Sequence, residues 1–146
     1  MTTGREPQSG QGVGMPDFAW LLGLAGGDNH ICQTVTAFAG GGQASATQMG
    51  IPNSQGVQAA FINIGTVGSA GDSVMLPQAI KGKFLIAFNS TANSADVFAD
   101  PDTNRATGST DTINALTNVT AYALAAGARA LFFCPVDGKW ASVLSA

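Results

Sequence analysis

The chain has 146 residues, of which 45% are hydrophobic and only 10% charged, and its formal net charge is −3. That apolar content in one domain's length excludes wholesale disorder, and a compact chain of this size buries roughly 70% of its unfolded surface. The six basic residues, Arg5, Lys81, Lys83, Arg105, Arg129 and Lys139, are scattered. They do not form the concentrated footprint that displaces counterions from nucleic acid or holds an anionic membrane surface, so neither is an expected partner.

Residues 1–14 carry Gly4, Gly10, Gly12 and Gly14 among polar neighbours and read as a flexible arm. Met15, Pro16 and Asp17 follow, and then an apolar run over 18–26. Pro16 fits a first helical turn, and Asp17 suits the positive end of a helix dipole. The run is shorter than the ~20 residues a bilayer span requires, and Arg5 alone is a weak basic flank for a secretion signal. Residues 1–30 are therefore expected to be an extended N-terminal arm with a short apolar anchor. Its partner-binding residues are expected to be Phe18, Trp20, Leu21, Leu22 and Leu24.

From His30 onward the pattern turns to β. Glu, Lys and Arg are scarce, and β-branched and aromatic residues cluster in short runs bounded by Gly, Asn, Asp and Pro. Strands are expected near 31–38, 43–49, 58–67, 72–76, 83–89, 95–99, 111–115, 118–124, 128–135 and 139–144. Ten such runs imply an all-β domain over 31–146. The expected architecture is an antiparallel β-sandwich, with a jelly roll as one form of it. Asp137-Gly138 is the strongest hairpin signal, since a two-residue loop of this kind tolerates positive φ at both positions. Ala125-Ala126-Gly127 and the polar segment 89–94 read as further tight turns, so the last four strands are expected to meander as antiparallel neighbours.

Two strands are apolar on both faces: Phe84-Leu85-Ile86-Ala87-Phe88 and Ala130-Leu131-Phe132-Phe133-Cys134. A half-solvated strand alternates instead. These strands are either covered on both sides within the domain or turn one face to another subunit. Leu85, Ala87, Leu131 and Phe133 are the candidate subunit-interface residues.

No catalytic, cofactor-binding or metal-ligating set emerges. Cys32 and Cys134 form no C-x-x-C pair and are expected to be free, buried thiols. His30, the one histidine, completes no nucleophilic triad. Asp100, Asp102, Asn104 and Asp111 follow the oxygen spacing of a calcium loop, but Arg105 stands where the sharp turn needs glycine. Asp72, Asp96 and Asp111 read as turn residues rather than paired acid–base carboxylates. Gly40-Gly41-Gly42 lacks the Gly-Lys-Ser/Thr continuation of a phosphate loop. Trp20, Trp140 and Tyr122 are the aromatics that would stack sugars if exposed. An enzyme is not expected.

An ordered series of segments carries a resemblance. It begins with Ala39-Gly40-Gly41-Gly42-Gln43-Ala44-Ser45-Ala46-Thr47, then Ile62-Asn63 and Gly71-Asp72-Ser73-Val74-Met75-Leu76-Pro77. Phe88-Asn89, Ala92-Asn93, Val97-Phe98 and Asp111-Thr112-Ile113-Asn114 follow, and Ala126-Gly127, Phe133-Cys134 and Gly138-Lys139-Trp140 close it. Over about residues 32–146 this resembles a β module of tailed-phage virion proteins, notably small head-decoration or cement proteins and fibre-associated proteins. The connection over 99–110 is longer than that pattern has. The resemblance implies a structural, non-enzymatic role without catalytic residues or cofactor, and frequent threefold assembly. The resulting expectation is a homotrimer on the capsid exterior, assembled in the host cytoplasm, that stabilises the head by binding the major capsid protein. The alternative is a fibre-associated or receptor-binding adhesion module of the virion, with affinity for host glycans.

Overall fold

The computed structural model describes residues 32–52, 59–101 and 110–145. These are all-β, with one short 3-10 turn at Gln43–Ser45 and no α-helix among the described residues. The strands are β1 Cys32–Thr36, β2 Thr47–Gln48, β3 Phe61–Thr66, β4 Asp72–Met75, β5 Phe84–Asn89, β6 Ala95–Phe98, β7 Thr112–Ile113, β8 Tyr122–Leu124, β9 Arg129–Val136 and β10 Lys139–Ser145. Each falls within or beside an expected run. The second is the most shortened, because the 3-10 turn occupies its first half.

The pairing departs from the antiparallel expectation. One sheet has the order β1-β3-β5-β9-β10-β7 and the other β2-β4-β6-β8. Through β6 the chain alternates between the two sheets, and each return lays a strand parallel to the previous one. β3 pairs parallel with β1 and β5, and β4 with β2 and β6. The result is a solenoid-like stack of three coils, offset by 29 residues between β1 and β3 and by 25 between β3 and β5. β8 and β9 then run antiparallel to β6 and β5 and close the stack. A jelly roll is antiparallel throughout, so these mixed sheets lend it no support.

The expected closing meander is also corrected. Only β9 and β10 form a sequential pair in one sheet. Asn89 begins the passage from the six-stranded to the four-stranded sheet, and Ala125-Ala126-Gly127 makes the return. The turns fall where their residues predict them, but turn chemistry does not say whether a chain reverses within a sheet or crosses between sheets. The Asp137-Gly138 hairpin is present, with Val136 opposite Lys139. Gly138 takes φ 82 while Asp137 keeps negative φ. A register shift between Lys139 and Ala141 follows. It accompanies an inward Trp140, which is buried and whose indole N–H donates to the Pro77 carbonyl at 3.1 Å.

The core follows from strand alternation. β9 alternates exposed and buried residues from Arg129 to Cys134, and Ile62, Ile64, Leu85, Ala87, Ala130 and Phe132 are buried. Val74, Val97 and Leu124 are their buried counterparts in the four-stranded sheet. The Tyr122 and Phe132 rings meet edge to face at 5.4 Å and join the inner faces of the two sheets. Burying each such large apolar side chain contributes about 1.5–3 kcal/mol.

Side-chain amides fasten the corners. Asn89, fully buried, donates to the carbonyls of Asn93 at 2.8 Å and Leu124 at 3.0 Å, and its Oδ1 accepts from Thr91 Oγ1 at 2.8 Å. Asn93 reaches the preceding coil by donating to the Val67 carbonyl at 2.9 Å. Gln43 donates to the Ala99 and Asn118 carbonyls at 2.7 and 2.9 Å. A charge-poor chain thus satisfies its buried backbone with amides, which need no counter-charge.

Candidate functional site

The six-stranded sheet has one face in the core and one outward, and three rows cross the outward face. The first is Cys32, Phe61, Ile86, Leu131 and Val143, one residue from each of five strands. The second is Phe84, Phe133 and Ala141. The third is Thr34, Asn63, Phe88, Arg129 and Ser145. Leu131, Phe133 and Phe84 are 36%, 37% and 38% exposed, and Val143 is 58% exposed. Arg129 is the single charged residue in these rows, and its guanidinium lies 4.5 Å from the centre of the Phe88 ring. Cys32, Phe61, Ile86 and Phe88 border a shallow apolar groove on this face.

Of the expected interface residues, Leu131 and Phe133 lie on this face. Leu85 and Ala87 do not: at 1% and 0% exposure they are core residues. The correction is one of parity. In a strand apolar on both sides, composition cannot say which alternate set faces out. Register decides it, pairing Leu85 with buried Phe132 and Ile86 with outward Leu131. Sequence reasoning missed Phe61, Phe84, Ile86 and Val143. The signal for Phe84 and Ile86 was present in the doubly apolar run, once its neighbours were known. Phe18, Trp20, Leu21, Leu22 and Leu24 lie outside the described residues.

Both cysteines are free, but only Cys134 is buried; Cys32 is exposed on β1. Burial raises the Cys134 thiol above its ordinary value, and its Sγ donates to the Val136 carbonyl at 3.0 Å. It is therefore a poor nucleophile.

The acidic residues serve the fold. Asp72 accepts backbone N–H bonds from Gly68 at 2.8 Å, Ser69 at 3.0 Å and Gly40 at 3.2 Å. These donors, the Ser69 N–H foremost, hold its carboxyl below the ordinary value against the opposing effect of burial. Asp111 is buried, and its Oδ2 accepts from the Ala79 N–H at 2.6 Å. That role turns it inward, away from the calcium-loop geometry its spacing mimics, and residues 102–109 of that loop lie outside the described residues. Asp96 lies in β6 rather than in a turn. No group of three or more His, Cys, Asp or Glu suited to a metal occurs among the described residues. Of the aromatics considered for sugar stacking, Trp140 is buried and Tyr122 is half-buried against Phe132; Trp20 lies outside the described residues, as does His30.

No helix among the described residues is long and apolar enough to cross a membrane. No family model, curated protein or solved structure matches the chain.

Proposed function

We propose that this chain is a structural virion protein of a tailed phage, a head-decoration or cement protein that sits on the capsid exterior and binds the major capsid protein. The observation that carries the assembly role is the outward apolar face of the six-stranded sheet. A face with Phe84, Leu131, Phe133 and Val143 exposed on a chain only 10% charged is suited to being covered by protein. The ordered turn segments that resemble phage virion β modules give that assembly role its setting. The apolar anchor Phe18, Trp20, Leu21, Leu22 and Leu24 is assigned to the capsid. There, many shallow repeated contacts add through avidity, and individual contacts need not be strong.

Co-sedimentation of the purified chain with undecorated tailed-phage heads tests this. Saturation at a fixed number of copies per head is expected. Trp20→Ser with Leu22→Ser in the intact chain is expected to weaken binding by about 100-fold or more, since buried aromatic and aliphatic anchors dominate interfaces. Wild-type protein that stays in the supernatant at all concentrations contradicts the reading.

A further inference from the structure

We infer that the outward face of the six-stranded sheet is the docking surface for a second copy of this chain, the two copies packing face to face about a twofold axis. The inference deepens the assembly reading above by naming what covers this face, and it assigns the capsid contact elsewhere.

Two observations commit the face to another copy. The first is extent. The row from Cys32 to Val143 crosses five adjacent strands. At about 4.8 Å between strands and 3.3 Å per residue, three strands by five residues and two by three cover on the order of 330 Å² in projection. Side-chain relief raises the accessible area above that projection, towards the ~800 Å² per partner of a standard interface.

The second is self-complementarity. An isologous contact sets a patch against its own image, so any strong charge pattern would meet itself with repulsion. The three rows hold one charge, Arg129, at the side of the face away from Phe84 and Phe133 and already stacked on Phe88. The apolar rows thus meet apolar rows without a like-charge penalty.

In a threefold ring the contact is heterologous and sets this face against a different patch of the neighbour, whereas a twofold pair covers it with its own image. Two sheets packed in this way lie about 10 Å apart, a spacing that phenylalanine and leucine side chains fill.

Cys32 supplies a probe at one end of the first row. It is the exposed one of the chain's two thiols, so maleimide labelling reports its burial in a pair.

The experiment is sedimentation equilibrium on the full chain, in wild type, Leu131→Lys and Val119→Lys forms. Val119 is 71% exposed and outside the three rows, so its substitution controls for added charge. Circular dichroism checks folding of each variant, and Val143→Lys replaces Leu131→Lys if the latter does not fold. The expected result is a wild-type pair, a dissociation constant raised at least 30-fold by the substitution on the face, and no change for Val119→Lys. Cys32 labelling is expected to slow at least tenfold as concentration rises through the dissociation constant. A monomer at all concentrations overturns the inference, as does a mass of three chains or a pair indifferent to Leu131→Lys and Val143→Lys. Head binding is scored separately: a monomer that saturates heads defeats the paired face and leaves the decoration reading standing, while a face-dependent pair that ignores heads does the reverse.

Discussion

Single residues show how tightly the coils stack at their corners. Gly41 has φ 71, and a Cβ placed there would lie 2.8 Å from the Gly71 carbonyl oxygen of the next coil. Both the backbone conformation and the close approach demand glycine. Gly82 has φ 90 but open space around it. Gly41→Ala is therefore expected to cost about 2 kcal/mol or more, with Gly82→Ala costing about 1 kcal/mol from conformation alone. Urea unfolding of the two variants checks the order, and equal losses would show that the corner can spread.

Asp72 makes the fold acid-sensitive in a defined direction. Its folded carboxyl binds a proton less readily than the ordinary value of 3.8, because backbone N–H groups favour the charged form. The stability it contributes is present above that ordinary value and is lost as pH falls through the lowered one. Asp72→Asn is expected to be less stable than wild type at neutral pH, with the gap narrowing as pH drops below 3.8. A gap that does not change with pH would remove Asp72 from this role. The sequence reads Asp72 as a turn residue, whereas it opens β4, and its three N–H donors, two from the loop before it and one from the preceding coil, leave no local signal.

At the scale of elements, the positions of the strands were largely legible and their partners were not. β-branched runs and the Gly, Asn, Asp and Pro residues that bound them are local signals, and all ten strands fell where those signals stood. Pairing is non-local. A parallel return after 25 or 29 residues leaves no hairpin turn to read. The coil repeat is also blurred by unequal corners: ten residues part β1 from β2, while five part β3 from β4 and β5 from β6. What survives of it is a proline shortly after each of β2, β4 and β6, at Pro52, Pro77 and Pro101. The topology predicts a gradient of protection. β5 and β9 have a neighbour on each side, whereas β1 and β2 lie at sheet edges. Amide hydrogen exchange is expected to be slowest in β5 and β9 and fastest in β1 and β2. Uniform protection across the strands would contradict a stack closed by β8 and β9.

For the whole molecule, half of the candidate interface was legible. Leu131 and Phe133 face outward as expected, while Leu85 and Ala87 belong to the core because parity was settled only by the register with β9. The observed face is larger and more uniform than the four residues the sequence predicts, since it draws Phe61 from β3, Phe84 and Ile86 from β5 and Val143 from β10. Few charges, amide-fastened corners and one broad apolar face are mutually consistent with the proposed assembly of the chain. The native mass of the unmodified chain, measured by light scattering after size exclusion, tests that claim most directly. The account predicts twice 14.7 kDa at micromolar concentration; a mass of one chain, leaving the face bare, or of three chains, which a twofold pair does not give, would contradict it.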